Sequence, residues 1–333
     1  MWKRLILPFI VAVILALALF SGLVFNLSFL PGSTGSKGGL SVKELESPAT
    51  KPARRAGKIL PVENKTIVGV FEQNIINGRT EFEQQIDKKV AVVSLYQAWA
   101  DQSKFPKDWV EDAVEQGKIP MITWEPWEFS KTDFDQPEYR LSNITAGQHD
   151  EYIREWLTDV RDWRGPIFVR FAHEMNGDWY PWGRHVNTPK EYVAAWRHVV
   201  DLSRELGADN ITWVWSPNEV DKNHRLLDEF YPGKKYVDWI GVSGFNWSWS
   251  QWRSFSQIFD PAFNYLKKYD KPLMIAEVGV AFNPRVGKQT KAAWITETIA
   301  QIKNNDPPIA MVVWFNDGYV SGDQLYNWRI DDS

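Results

Sequence analysis

Three glutamates stand directly after apolar, β-rich runs. Glu125 lies in Thr123-Trp124-Glu125-Pro126-Trp127, Glu174 in Arg170-Phe171-Ala172-His173-Glu174-Met175-Asn176-Gly177, and Glu277 in Ile275-Ala276-Glu277-Val278-Gly279. A carboxylate in such a place loses hydration, so it is costly unless it is paired or used. A salt bridge capping a strand end would account for any one of them. Glu174 and Glu277 together, with tryptophans at other strand ends, suggest a chemical pair. Two carboxylates about 5–5.5 Å apart can break a glycosidic bond with retention, one protonating the leaving oxygen and the other attacking the anomeric carbon. The acid then needs surroundings that raise its pKa, and the nucleophile needs donors that hold it ionised.

Such a pair requires a scaffold that brings distant strand ends together. Eight β-rich runs recur: 66–72, 90–99, 120–127, 166–174, 210–216, 237–246, 272–278 and 309–315. Amphipathic stretches at 107–116, 149–162, 189–206 and 291–304 lie between them. Alternation of this length predicts a (β/α)8 TIM barrel, an α/β fold whose catalytic residues sit at the C-terminal strand ends. Ile167-Phe168-Val169 and Met311-Val312-Val313 are apolar at successive positions, as strands covered on both faces are. The alternative is a doubly wound open sheet, which calls for a glycine-rich phosphate loop after the first strand. Gly69-Val70-Phe71-Glu72-Gln73 is not one. After the eighth run only residues 316–333 remain, too few for a full closing helix. Arg170 shares the parity of Glu174 along its strand, so both are expected to face the barrel axis. Arg170 would then hold a carboxylate, or serve as a structural barrel arginine.

Composition narrows the chemistry. The chain has 333 residues, a formal charge of -4 and no cysteine. No basic field exists to grip phosphate, so no nucleic-acid partner is expected. Disulfides, thiolate metal sites and cysteine nucleophiles are excluded together. The five histidines form no HxH or HxxxH pair, and neither a metal nor an organic cofactor is expected. Nineteen tryptophans are the outlier. They suit either stacking on sugar rings or a Trp-rich core.

The amino-terminal end reads as a membrane segment. Lys3 and Arg4 precede an uncharged run from Leu5 to Phe25, long enough to cross about 30 Å of hydrocarbon. Charges before the run place the amino terminus in the cytoplasm and the remainder outside. An uncleaved signal anchor is favoured over a cleaved signal peptide, because Ala16-Leu17-Ala18 lies inside the run rather than after it. The expected organisation is a transmembrane segment over 1–30, a Gly/Ser/Pro-rich flexible linker over 31–62 and a barrel over 63–333. The barrel is expected to be extracytoplasmic, membrane-anchored or secreted if the segment is cleaved.

The stretch from Arg170 to Gly183, which reads RFAHEMNGDWYPWG, resembles the signature of glycoside hydrolase family 26. Thr123-Trp124-Glu125-Pro126-Trp127, Tyr236-Val237-Asp238-Trp239-Ile240-Gly241 and Ile275-Ala276-Glu277-Val278-Gly279 fit the same family, and the resemblance runs from about Gly69 to Arg329. It implies a (β/α)8 retaining hydrolase of β-mannan, mixed-linkage β-1,3-1,4-glucan or β-1,3-xylan. It further implies Glu174 as acid/base, Glu277 as nucleophile, and His173 as a sugar contact or a support for the carboxylates. Trp179 would shape the site beside the acid, and Trp314 would form the aromatic floor under the reacting sugar. One departure stands out. Relatives often carry a tyrosine after the strand-six glycine, and this chain has Phe245, so the hydroxyl that would bond Glu277 is absent there.

Trp124, Trp127, Trp182, Trp247 and Trp249 are candidate sugar platforms, whereas Trp196 and Trp294 fall in helical stretches and read as core. Trp213 and Trp215 share a strand face, with at least one expected inside the barrel, and His198 reads as a packing residue on a helix. Three roles follow: an endo-acting hydrolase of β-mannan or mixed-linkage glucan, a tethered enzyme that trims a self-made exopolysaccharide, and a non-catalytic glycan-binding barrel.

Overall fold

The computed structural model describes residues 57–72, 80–100, 103–131, 135–219, 225–247, 252–281, 288–305, 308–321 and 324–330. Eight strands form a closed parallel barrel in sequential order. They are β1 (Ile67–Phe71), β2 (Val92–Ala98), β3 (Ile119–Glu125), β4 (Ile167–Phe171), β5 (Ile211–Trp215), β6 (Trp239–Asn246), β7 (Leu273–Val280) and β8 (Ile309–Phe315). Pairing of β1 with β8, in register from Ile67 opposite Met311 to Phe71 opposite Phe315, closes the ring and decides against the open sheet. Six of the eight β-rich runs contain one of these strands whole; β3 starts one residue before its run and β7 extends two residues beyond its own.

The helices are α1 (Glu81–Ile86), α2 (Lys107–Glu115), α3 (Leu141–Thr145), α4 (Asp150–Trp163), α5 (Pro189–Glu205), α6 (Arg225–Phe230), α7 (Phe255–Leu266) and α8 (Lys288–Asn304). Their starts are written locally. Thr80 with Glu83, Thr188 with Glu191 and Ser254 with Gln257 form reciprocal capping boxes at α1, α5 and α7. Each satisfies two otherwise orphaned backbone donors and fixes where the loop ends. Proline at the first turn of α5 adds a preset φ. As expected, Trp196 and Trp294 are core, and His198 bonds Asp150 of α4 at 2.6 Å.

Period-two alternation sorts the strand residues into two cores. Val92, Met121, Phe168, Val214, Trp239, Met274, Met311 and Val313 pack inside the barrel. Val70, Ile122, Trp124, Val169, Phe171, Trp213, Trp215, Ile240 and Ile275 belong to the larger core between barrel and helices. This corrects two expectations. Trp213 and Trp215 both point outward, since Thr212 and Val214 hold the inward parity. Trp124 is not a sugar platform, because it is fully buried and stacks on Trp156 of α4 with centroids 4.2 Å apart.

The closed end of the barrel is sealed by residues placed at sequence level in the flexible linker. The Ile59 N–H donates to Thr212 Oγ1 at 2.8 Å, and its carbonyl accepts from Trp239 Nε1 at 2.9 Å. Lys58 Nζ contacts Asp238 Oδ2 at 2.7 Å and the Ile211 carbonyl at 2.5 Å. Ile59 also packs on the inner core. Thr212 and Trp239 stand at the first residues of β5 and β6, so this plug sits at the end opposite the glutamates. The folded unit therefore begins by residue 58, not at 63.

Among the described residues no helix closes the barrel after β8. A hairpin of β9 (Gly318–Ser321) and β10 (Gln324–Asn327) takes its place and leads to Trp328, which is fully buried. Asn316 ties this tail down, donating to Glu72 Oε1 at 3.1 Å and accepting from the Ile330 N–H at 2.8 Å. The expected transmembrane segment and most of the linker lie outside the described residues. Among the described residues no helix is long and apolar enough to cross a membrane.

A chain starting at residue 61 instead of 57 should lose the plug and about 2 kcal/mol of stability, from two backbone bonds and one half-buried isoleucine. A melting experiment should show the Tm falling by about 4–8 °C, with kcat/KM unchanged; an unaltered Tm would mean that the plug contributes nothing.

Candidate active site

The site is built on a polar layer directly above the apolar barrel interior. Two residues beyond Met121, Phe168 and Val214 on their strands come Thr123, Arg170 and Ser216, all buried. Arg170 Nη1 donates to Thr123 Oγ1 at 3.0 Å. Its Nη2 reaches Ser216 Oγ at 3.1 Å, Ser243 Oγ at 3.3 Å and Glu277 Oε1 at 2.7 Å. The guanidinium is thus a barrel arginine and a carboxylate holder at once. Ser243 Oγ adds a second donor to Glu277 Oε1 at 3.2 Å.

Glu277 is aimed by a β-bulge. The β6–β7 register passes from Val242 opposite Ile275 to Ser243 opposite Glu277, leaving Ala276 as the extra residue. Both Ala276 and Glu277 consequently face inward, which simple alternation forbids. The bulge depends on Gly241, where a Cβ would lie 2.8 Å from Ala276 Cβ.

Glu174 is aimed by a turn in the left-handed region. Ala172 has φ 44° and Glu174 has φ 54°. Each non-glycine residue there costs about 1–2 kcal/mol, offset locally by the Ala172 N–H on the Trp124 carbonyl and the Glu174 N–H on the Ser216 carbonyl. Two side chains hold the acid. Trp179 Nε1 donates to Glu174 Oε2 at 2.8 Å, and Asn218 Nδ2 donates to Oε1 at 2.9 Å. Trp179 can fold back because Gly177 has no side chain: a Cβ there would fall 2.5 Å from the indole. Asn218 is fixed in turn by Asn176. The Asn218 N–H donates to Asn176 Oδ1 at 2.9 Å, and Asn176 Nδ2 returns a bond to the Asn218 carbonyl at 3.1 Å.

His173 lies between the carboxylates, 3.8 Å from Glu125 through Nδ1 and 3.8 Å from Glu277 through Nε2. Burial, reinforced by the Arg170 charge, pushes its pKa well below the usual value, so the ring is neutral and these approaches are not ion pairs. Tyr180 packs against His173 at 4.8 Å and stacks on Trp182 at 4.4 Å. One oxygen of Glu174, one of Glu277 and one His173 nitrogen all lie within 4.8 Å of one another. These three residues are also the group among the described residues whose spacing would suit a metal ion. The Arg170 guanidinium already lies against Glu277 Oε1.

The other sequence candidates divide. Trp179 and Arg170 stand where they were expected. Phe245 faces the mouth in an aromatic cluster with Phe71, Phe315 and Trp328, bordered by Tyr96 and Trp247. Trp247 is half-buried at that border, 5.2 Å from Trp328, and remains open to a sugar role. Trp314 is a correction. It has the outward parity of β8, beside Val70 of β1, and Phe315 takes the inward place instead. Trp182 is fully buried, donating to the His173 carbonyl at 2.6 Å, and braces the site from beneath rather than offering a face. Trp127 is buried too, bonded to Glu125 Oε2 at 3.3 Å. Trp249 lies outside the described residues.

Sequence reasoning missed Ser243, Ser216, Thr123, Asn218, Asn176 and Tyr96. The first three were readable from period-two parity alone. The two asparagines meet through loop geometry that carries no periodic signal. Tyr96 contributes a buried hydroxyl that makes no hydrogen bond in this structure, yet it interacts with the Glu277 charge, which together with burial raises its pKa.

Electrostatics separates the carboxyls. Burial, and then the Glu277 charge, raises Glu174 to about 7, against the lowering bonds from Asn218 and Trp179. Burial likewise raises Glu125 to about 8. Glu277 faces a permanent cation at 2.7 Å. Below about pH 7 the site therefore holds a protonated Glu174 beside Glu277 paired with Arg170, the division of labour glycoside cleavage requires.

A parallel barrel with a glutamate at the end of β4 and another on β7, charged in this way, is the class of glycoside-cleaving barrels. Comparison with known proteins narrows the class. The family model for glycosyl hydrolase family 26 matches residues 122–307, and the chain belongs to that family. The chain is 35% identical over 263 residues to Endoglucanase H of Acetivibrio thermocellus, an alignment covering 76% of this chain and 27% of that protein. It is 29% identical over 157 residues to a mannan endo-1,4-beta-mannosidase of Bacillus subtilis, covering 43% of this chain and 38% of the other. Thus it spans well under half of either relative. Among solved structures, a GH26 β-mannanase from Bacteroides ovatus superposes with TM-score 0.60 at 21% identity, covering 76% of this chain and 81% of that one, a likeness of fold.

Any activity that depends on a protonated Glu174 should fall as pH rises through about 7. Removing a donor to the carboxylate disfavours its charged form, so Trp179→Phe or Asn218→Ala should move this alkaline limb upward by about one pH unit while lowering kcat. A pH–rate profile with an unmoved limb would remove these two residues from control of the acid.

Proposed function

We propose that the protein is a retaining endo-hydrolase of β-linked glycans, with Glu174 as acid/base and Glu277 as nucleophile. The observation that carries this reading is the approach of the two carboxyl groups to within 4.8 Å. An inverting enzyme must fit a water between them and needs about 6.5–9.5 Å. In the first step Glu277 attacks the anomeric carbon while Glu174 protonates the departing oxygen. In the second, Glu174 takes a proton from water, which displaces Glu277 from the sugar. Arg170 and Ser243 hold the attacking carboxylate, and Trp179 and Asn218 hold the acid.

Mixed-linkage β-1,3-1,4-glucan is the leading substrate. The longest and most similar curated alignment described above is to an endoglucanase, whereas that to the mannanase is shorter and less similar. β-Mannan is the second reading, supported by the mannanases among both the relatives and the structural neighbours. The run from Leu5 to Phe25 supports a signal anchor with the barrel outside the cytoplasm. Protease added to intact cells should then remove the barrel; protection would overturn that placement.

Glu277→Ala should lower hydrolysis of whichever polymer is cleaved by at least about 10^4-fold, the order seen when a nucleophile is removed from a coupled pair. Proton NMR during hydrolysis should show the β-anomer appearing first. Initial α-product would refute retention, and full activity of Glu277→Ala would refute the nucleophile. Parallel assays on mixed-linkage glucan, glucomannan and galactomannan decide the substrate.

A further inference from the structure

The two-carboxylate reaction leaves one buried carboxyl of the mouth unused, that of Glu125. Its backbone is pinned: the carbonyl accepts the N–H groups of Trp99 and Trp127, both at 2.9 Å. Its side chain is sparsely held. Oε2 accepts from Trp127 Nε1 at 3.3 Å, and among the described residues no other hydrogen bond reaches the carboxyl. Oε1 stands 3.8 Å from His173 Nδ1, and His173 Nε2 stands 3.8 Å from Glu277 Oε1. Neither ring nitrogen of His173 has a partner. Glu125, His173 and Glu277 thus form a row of buried polar groups, each just too far from the next to bond it. Buried polar groups in folded proteins are almost always satisfied, by protein, water or ligand. Among the described residues no lysine or arginine lies within ion-pair distance of Glu125, so the carboxyl has no structural counter-charge.

We propose that Glu125 is a sugar-binding residue whose free Oε1 hydrogen-bonds a hydroxyl of the glycan unit lying on the β3–β4 side of the mouth, with His173 bonding alongside. This rests on the glycanase reading above and adds a residue that reading does not need. β3 pairs directly with β4 (Thr123 opposite Arg170), which places Glu125 beside the acid and within reach of the reacting sugar or its neighbour. The groups facing it are Tyr96 of β2, Trp127 after β3, Arg170, His173 and Glu174 from β4 and its loop, Tyr180 of that loop, and Glu277 of β7. Two are carboxylates and one a cation already bound to Glu277. Burial first, and then the two carboxylates, outweigh the lowering influence of Trp127 and Arg170 and keep the Glu125 carboxyl protonated around neutral pH, so it can both donate to and accept from a hydroxyl. A charged carboxylate there would only accept, and would add a second negative group to the mouth beside Glu277.

The full chain is assayed on the polymer that it cleaves. Glu125→Ala should raise KM by about tenfold or more with kcat changed less than about threefold. Glu125→Gln, neutral and isosteric, should restore most of the loss, leaving KM about threefold above wild type. Wild-type KM should climb as pH rises through about 8, and that of the Gln variant should stay flat. Wild-type KM in Glu125→Ala, or a kcat collapse shared by Ala and Gln with KM unchanged, would overturn the proposal. Should the wild type cleave no polymer, the glycanase reading fails separately, and calorimetry with mixed-linkage and manno-tetrasaccharides decides. An about tenfold weaker Kd for Glu125→Ala supports the role; equal affinity, or no binding by the wild type, overturns it.

Discussion

The contact on which the rest of the structure depends is the buried pair of Arg170 and Glu277. A guanidinium with no solvent exposure is among the costliest groups to place inside a protein, and it is tolerable only when its charge is paired and most of its donors are taken up. Here Thr123 from β3, Ser216 after β5, Ser243 from β6 and Glu277 from β7 take up the two Nη groups, while Nε has no partner among the described residues. The cation cross-links half the ring at one height. Removing either member would strand the other charge in a dry place, a loss of about 3–5 kcal/mol by the usual measure of broken buried pairs. The arrangement therefore binds stability to the geometry of the mouth, since the arginine that holds the polar layer together also keeps the Glu277 carboxylate in position.

Strain is distributed around this fixed point. The β7 bulge and the left-handed turn after β4 both break the strand rule that alternate residues face alternate ways. Regular alternation would have put Glu277 on the side opposite Ala276 and would have left His173 and Glu174 on opposite faces. Two local departures let adjacent residues share the mouth. Each departure leans on something small or rigid nearby: Gly241 beside the bulge, and the Ser216 and Trp124 carbonyls beneath the turn.

Much of this was legible in the chain. Eight β-rich runs gave the ring, amphipathic stretches at 107–116, 149–162, 189–206 and 291–304 marked four of the helices, and the two glutamates and Arg170 were singled out as residues that meet at one end of it. What failed did so for physical reasons. Trp124 and Trp314 were placed at the mouth because they sit near strand ends, yet parity, which sequence also carries, sends both outward. Trp182 and Trp127 were taken as platforms because they are aromatic and in loops, but their indole nitrogens are spent on the His173 carbonyl and on Glu125. The Asn176–Asn218 latch was beyond reach, because it joins two irregular loops whose meeting depends on the closed ring. The plug at Lys58 and Ile59 was hidden by its neighbours, since a polar, glycine-containing stretch gives no sign of where it becomes ordered.

That plug has a directional consequence. The chain joins the barrel through the floor, at the first residues of β5 and β6, while every group of the reaction stands at the roof. Lys58 and Ile59 thus close one face of the ring while the carboxyls open on the other, so a ligand lying across the mouth is separated from this entry of the chain by the full thickness of the barrel.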